Sequence, residues 1–238
     1  MPNQVVNQTM GAVLSVLLFV PVWGAVWPMA AWAAKAAAVP KVSAPPTPPQ
    51  QGNPVLGREK IDSERCQECH GIDGQGAGHG NGPEGKFAKL AGQDAAYLLK
   101  QMRDFRSGAR KHDQMAIMAR SVSDEDVRDI SAYFASLPVM KGEPDPKAAA
   151  ASAIGQRLYE QGDATRGVLA CASCHSPQAK GAALAPRIAG QEWRYLDKQL
   201  RDWRSGDRKN SPDGVMNKVL SPLSDAEIEA LATHLASQ

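Results

Sequence analysis

Apolar residues recur at helical spacing in two segments of the chain, and the two segments match each other. Apolar side chains three and four positions apart lie on one face of an α-helix. The positions are Leu98, Met102 and Phe105 in the first segment and Leu196, Leu200 and Trp203 in the second. Both segments therefore predict amphipathic helices, and Gly108 and Gly206 follow them as expected C-terminal stop signals.

An internal repeat extends beyond these two helices. Residues 90–108 align with residues 188–206 without a gap, at a constant offset of 98. Later in each copy, Ser123 and Ser224 are followed three residues on by an acid, which predicts a capping box and a terminal helix. Period-two alternation of useful length is absent from the sequence, so the predicted fold class is all-α, with two tandem helical domains.

The composition of the first 54 residues distinguishes two segments that precede the helical domains. Residues 10–34 carry no charge, which is typical of a signal peptide or a membrane anchor, and residues 36–54 form a Pro/Ala-rich spacer. Small residues at 31 and 33 favour cleavage, whereas the uncharged start of the chain and the length of the apolar run favour an anchor. The predicted organisation is a signal peptide or anchor (1–35), a spacer (36–54), a first domain (55–141), a linker (142–148) and a second domain (149–238).

Composition narrows the functional classes. Lys and Arg number 27 against 25 Asp and Glu, a net charge of +2, which argues against a nucleic-acid partner. Hydrophobic residues make up 43% of the chain, which excludes general disorder. Aromatic residues make up only 5%, few for two small cores built from side chains alone, so a cofactor is expected to fill part of each interior.

The four cysteines indicate which cofactor. They occur as Cys66-x-x-Cys69-His70 and Cys171-x-x-Cys174-His175, and C-x-x-C-H is the attachment motif of c-type haem. The two thiols bond the vinyl groups of one porphyrin, and the adjoining histidine binds its iron. A redox-active cysteine pair does not need that histidine, and a zinc site with four ligands would have to join the two domains. The sequence therefore predicts two covalently bound haem c groups.

A haem iron with two axial ligands from the protein has no open coordination position and is suited to electron transfer, whereas an open position permits catalysis. Met216 is the one methionine after the attachment motif of the second domain, and Met115 matches it, since each precedes the capped terminal helix by the same interval. Met118 is a near alternative to Met115, while Met102 lies on the apolar stripe and is expected to pack in the core. Both candidates lie in polar segments that we expect to be loops.

A set of basic residues recurs in both copies. Such residues usually form a solvated helix face, and the alternatives are pairing with haem propionates or docking of a redox partner. They are Arg103, Arg106, Arg110 and Lys111 in the first copy and Arg201, Arg204, Arg208 and Lys209 in the second.

These motifs together resemble the di-haem cytochrome c4 family. The resemblance covers residues 55–238 and rests on C-x-x-C-H, an L/I-A-G-Q-x-x-x-Y-L-x-K-Q helix, the methionine and the capped terminal helix, each present twice. It implies two class I cytochrome c domains in a bacterial periplasmic carrier, which takes electrons from a quinol-oxidising complex and passes them to a terminal oxidase. A fixed subunit of a membrane-bound oxidoreductase, tethered to the inner membrane, and a di-haem peroxidase or thiosulfate-oxidising enzyme are the alternatives.

The resemblance also implies a proline whose backbone carbonyl orients the haem-binding histidine, a device that fixes the ring and raises its basicity. Pro186 fits that role in the second domain, but Ala88 stands at the matching position of the first. Because the bond uses a backbone carbonyl, we expect it to survive the change.

Overall fold

The computed structural model describes residues 51–76, 87–144, 148–181 and 185–238. These ranges are helical and contain no β-strand. The helices are α1 (Pro54–Ser63), α2 (Gln67–His70), α3 (Ala95–Ser107), α4 (Asp113–Ser121), α5 (Asp124–Ser136), α6 (Ala149–Gln161), α7 (Ala172–His175), α8 (Trp193–Ser205), α9 (Val215–Leu220) and α10 (Asp225–Ala236). The predicted all-α class is confirmed.

The predicted leader and most of the spacer lie outside the described residues. The described end of the spacer leads directly into α1, which begins at Pro54. The Asn53 side chain caps this helix by accepting the backbone N–H of Val55 at 2.9 Å. Within the described ranges, no helix is both long enough and apolar enough to span a membrane.

The two halves repeat one arrangement of helices. In the first half α1 and α3 both pack against the terminal helix α5, and in the second half α6 and α8 pack against α10 in the same way. Ile61, Leu98 and Phe134 are among the buried residues of the first core, and Leu158 and Leu231 lie in the second. Two tandem domains of one fold are therefore confirmed, although the sequence patterns did not predict α1 and α6.

A glycine allows the first and last helices of each half to cross closely. A Cβ on Gly57 of α1 would overlap the backbone carbonyl of Asp129, and a Cβ on Gly155 of α6 would overlap that of Ala230. Backbone can approach backbone this closely only where one residue has no side chain. The crossing is therefore fixed by two residues that the hydrophobic pattern does not single out.

The helix-capping predictions hold in part. Gly108 and Gly206 end α3 and α8 in the left-handed conformation, with φ of 81° and 84°, as expected. Ser224 and Glu227 form the complete capping box predicted for α10. Ser123 caps α5, but Asp126 is one methylene shorter than Glu and instead pairs with Lys60 at 2.8 Å, so the box is incomplete there.

The domain interface holds two arginines that were expected on a solvated face. Arg110 and Arg208 are each only 7% exposed. Arg110 donates to Tyr195 Oη at 2.9 Å and to Gln199 Oε1 at 2.8 Å, both in the second domain. Arg208 donates to Gln101 Oε1 of the first domain at 3.1 Å. The expectation of a solvated face is wrong for these two residues, because the second copy of the repeat covers them.

Candidate functional site

Each cysteine motif folds into one helical turn. Cys66 precedes α2, and its carbonyl accepts the backbone N–H of His70 at 3.0 Å. Cys171 precedes α7, and its carbonyl accepts the N–H of His175 at 2.9 Å. The turn therefore places both thiols and the imidazole of each motif in one short, rigid segment, as attachment to a single porphyrin requires.

The four cysteine side chains are not placed to share a metal ion. None of the four is in a disulfide, and burial raises the pKa of the Cys66 thiol and of the Cys171 thiol to about 11. The described residues contain no group of three or more His, Cys, Asp or Glu side chains placed to hold a metal ion. A zinc site shared by the two motifs is therefore not formed among them.

Both histidines are held by a backbone carbonyl through Nδ1. His70 Nδ1 lies 2.8 Å from the carbonyl oxygen of Ala88, and His175 Nδ1 lies 3.0 Å from that of Pro186. A carbonyl only accepts, so Nδ1 carries the proton and Nε2 is left as the basic nitrogen for iron. Burial lowers the pKa of both rings, which favours the neutral, ligating form. The bond expected at Ala88 is present without the proline.

The two candidate methionines lie in helices, so the expectation of loops is wrong. Met115 is the third residue of α4, where His112 Nδ1 caps the helix by accepting the Met115 N–H at 3.3 Å. Met216 is the second residue of α9 and packs, like Cys171, against the core of the second domain. Both side chains are partly buried. Polar residues before each helix are caps and turns, which is why the segments looked like loops.

The two other methionines considered from the sequence are also placed. Met102 packs against the core of the first domain, as predicted from its position on the apolar stripe. Met118 is partly buried and lies three residues after Met115 in α4, so the two share one face of that helix. Met118 therefore stays the alternative to Met115.

The residue after each histidine has an unusual backbone conformation. Gly71 has φ 75° and ψ 152°, and Ser176 has φ 69° and ψ 157°. This region is essentially reserved for glycine and costs a side-chain-bearing residue of the order of 1–3 kcal/mol. The repeat thus pairs an unstrained residue with a strained one at equivalent positions.

We therefore expect Ser176→Gly to stabilise the second domain. Relief of the backbone strain outweighs the loss of the bond from the Lys180 N–H to Ser176 Oγ, so the free energy of unfolding should rise by about 1 kcal/mol. Denaturant unfolding of the haem-loaded protein measures the change. The reverse substitution, Gly71→Ser, is the matched control and should destabilise the first domain by a similar amount. Equal, small effects of both substitutions would contradict the strain.

The buried arginines test whether the residues present fit a haem. The acceptors of Arg110 and Arg208 at the interface are amide and phenol oxygens, which carry no charge. Each guanidinium also stacks on a ring of its own domain, Arg110 on Phe105 and Arg208 on Trp203. The two carboxylates of a haem would add the anionic partner that a buried cation favours. Together with the paired cysteines and the oriented imidazoles, this donor set fits two haem groups.

Comparison with known proteins agrees with this site. The family described as cytochrome c matches residues 55–138 and 152–238. Cytochrome c4 of Pseudomonas aeruginosa is 40% identical over 187 residues, which are 77% of this chain and 88% of that protein. A thiosulfate dehydrogenase electron acceptor of Stutzerimonas stutzeri is 36% identical over 173 residues, covering 72% of this chain and 78% of that protein.

A solved structure extends the similarity to the fold. The crystal structure of reduced recombinant cytochrome c4 from Pseudomonas stutzeri is 36% identical to this chain and superposes with a TM-score of 0.70. The match covers 78% of this chain and 98% of that one. The similarity therefore includes both domains and is not confined to the cysteine motifs.

Fold and site together define a c-type cytochrome with two class I domains in tandem, each carrying one covalently bound haem. Such a protein transfers electrons to and from redox partners. The chain belongs to the cytochrome c4 family.

Proposed function

We propose that the chain carries electrons in a bacterial respiratory chain, from a quinol-oxidising complex or a dehydrogenase to a terminal oxidase. In this proposal Cys66 and Cys69 bind one haem and Cys171 and Cys174 bind the other. The proposed axial pairs are His70 with Met115 and His175 with Met216. The observation that carries the proposal is the oriented histidine in both halves, each matched by a methionine at the equivalent position.

The proposed ligand set suits electron transfer and not catalysis on a bound substrate. Each haem, when bound, supplies a one-electron iron couple, and a thioether opposite an imidazole favours the ferrous form and raises the potential. If the proposed histidine and methionine both bind each iron, no coordination position would be left for a substrate. The carbonyls of Ala88 and Pro186 fix the two rings, and the apolar cores exclude water. This arrangement supports a carrier in preference to a peroxidase.

We also propose the periplasm as the site of action. An uncharged apolar stretch precedes the haem domains, and the C-x-x-C-H motif is used by exported cytochromes. Cell fractionation followed by intact-mass analysis tests this, because the mass tells whether residues 1–35 are removed. A haem-loaded protein in the cytoplasm would contradict the proposal.

The second candidate is the electron acceptor of a thiosulfate dehydrogenase. One specific observation favours it, the 36% identity to a protein of that description along 78% of its length. This candidate changes the donor but not the chemistry of the chain.

Electron-transfer kinetics separate the two candidates. The oxidised, haem-loaded protein is mixed with quinol and a quinol-oxidising complex, or with thiosulfate and a thiosulfate dehydrogenase. In parallel, the reduced protein is mixed with membranes that contain the terminal oxidase. We expect rapid reduction by the first mixture and rapid oxidation by the membranes. Reduction only by the thiosulfate mixture would favour the second candidate, and oxidation of thiosulfate by the chain alone would contradict both.

A further inference from the structure

The peptide that binds each haem histidine also binds a side chain of the other domain. The carbonyl of Ala88 accepts from His70, and the N–H of the same peptide unit, that of Lys89, donates to Gln191 Oε1 at 2.7 Å. In the second domain the carbonyl of Pro186 accepts from His175. The N–H of that peptide unit, that of Arg187, donates to Gln93 Oε1 at 3.0 Å.

Each glutamine makes a second bond to the same residue. Gln191 Nε2 donates to the carbonyl of Lys89 at 2.9 Å, and Gln93 Nε2 donates to that of Arg187 at 2.8 Å. Both amides are also fixed from their own side, because Oε1 accepts the N–H of the next residue, Asp94 or Glu192. Both side chains are buried, 5% exposed in each case. The glutamines are therefore held in one orientation, with their polar atoms satisfied.

A hydrogen bond to one end of a peptide unit affects the other end. An acceptor at the N–H polarises the amide and makes its carbonyl a stronger acceptor, by about 10–30% in bond strength. A stronger bond from the histidine Nδ1–H raises the basicity of Nε2, and a more basic ligand stabilises ferric iron over ferrous iron. The glutamine of one domain thus has a physical route to the iron of the other.

We propose that Gln93 and Gln191 are positioning residues, each of which lowers the haem potential of the opposite domain through the peptide that binds the histidine. The contacts cross between domains: Gln191 acts on the haem at Cys66 and Cys69, and Gln93 acts on the haem at Cys171 and Cys174. The proposal rests on the proposed histidine ligation but not on the proposed donor or acceptor.

The test replaces each glutamine by methionine, which has a similar shape but whose thioether sulfur is a much weaker acceptor for the peptide N–H than an amide oxygen. Spectroelectrochemical titration of the haem-loaded protein, with the haems assigned by NMR, gives both potentials. In Gln191→Met the ferrous-to-ferric ratio of the first haem at a fixed potential should rise about threefold, with the second haem unchanged. For a one-electron couple this corresponds to about 28 mV. Gln93→Met should shift the second haem and leave the first unchanged.

An independent readout follows the histidine itself. In the reduced, diamagnetic protein, the Nδ1–H proton resonance of His70 should move upfield in Gln191→Met as its hydrogen bond weakens, while that of His175 stays in place. Met140→Leu is the matched control, because Met140 Sδ contacts Gln191 Nε2 at 3.3 Å in the same buried region but touches neither peptide N–H. That variant should leave both potentials and both resonances unchanged.

Three results would overturn the proposal: a shift of the haem in the mutated residue's own domain, equal shifts of both haems, or folded variants with no shift. If Gln191→Met does not fold, Gln191→Asn carries the same crossed expectation, since its side chain is one methylene too short to reach residue 89. Failure of the proposed electron route would appear in the kinetics of the unmodified protein and would leave the crossed shifts intact.

Discussion

Replacing Met216 by alanine is expected to lower the reduction potential of the second haem by about 0.2 V. Axial ligands set haem potentials over roughly 0.8 V, and a thioether favours ferrous iron more than water or an empty position does. The same variant should change that haem from low spin to high spin and let it bind carbon monoxide when reduced. Optical titration and electron paramagnetic resonance measure these changes. The first haem should keep its spectrum and potential.

The first domain offers a sharper form of the same experiment. Met115 and Met118 lie on one face of α4, and Met102 packs against the core. Met115→Ala should open the first haem, whereas Met118→Ala and Met102→Leu should leave its spectrum low-spin. A high-spin first haem in Met118→Ala, with a normal one in Met115→Ala, would transfer the ligand role to Met118.

The second large effect is expected at the helix crossing. Glycine in a helix interior is about 1 kcal/mol less favourable than alanine, so propensity alone predicts that Gly155→Ala stabilises α6. The added Cβ, however, would overlap the carbonyl of Ala230 and force α6 away from α10, which costs about 3 kcal/mol for an overpacked core. The cost of the steric overlap exceeds the gain in helix propensity, so we expect the free energy of unfolding to fall by about 2 kcal/mol.

Denaturant unfolding of the haem-loaded protein tests this expectation. Gln156→Ala, at the exposed neighbouring position of α6, is the matched control and should change the stability by only a few tenths of a kcal/mol. Gly57→Ala should reproduce the loss in the first domain, where the overlap is with Asp129. A gain in stability from Gly155→Ala would show that the helices do not cross as closely as described.

Local signals in the sequence predicted much of the fold. The apolar stripes of α3 and α8 and the serine caps of α5 and α10 are encoded within a few residues of one another, and the structure has all four helices. Helices α1 and α6 were missed because each buries few apolar side chains, Ile61 in α1 and Leu158 and Tyr159 in α6, and makes its closest contact through a glycine against distant backbone. Glycine adds no apolar side chain to the sequence pattern, so hydrophobic periodicity cannot predict a contact that depends on it.

The candidate site also has features that the sequence predicted and features that it did not. The C-x-x-C-H motifs are local, so the cofactor could be predicted from the sequence, whereas the carbonyl behind each histidine was expected only from the family resemblance. The roles of Arg110, Arg208, Gln93 and Gln191 depend on partners in the opposite half, roughly a hundred residues away. The repeat shows that each half has the same residues. It does not show which face of one half meets the other.

One measurement tests the central claim, that the chain is an electron-transfer protein with two closed haem irons. The purified, haem-loaded protein is titrated from oxidised to reduced while its visible spectrum is recorded, with and without hydrogen peroxide for the oxidised form and carbon monoxide for the reduced form. The account predicts two one-electron steps, low-spin spectra throughout, and no change on adding either ligand. A high-spin component that reacts with peroxide, or a reduced haem that binds carbon monoxide, would contradict it.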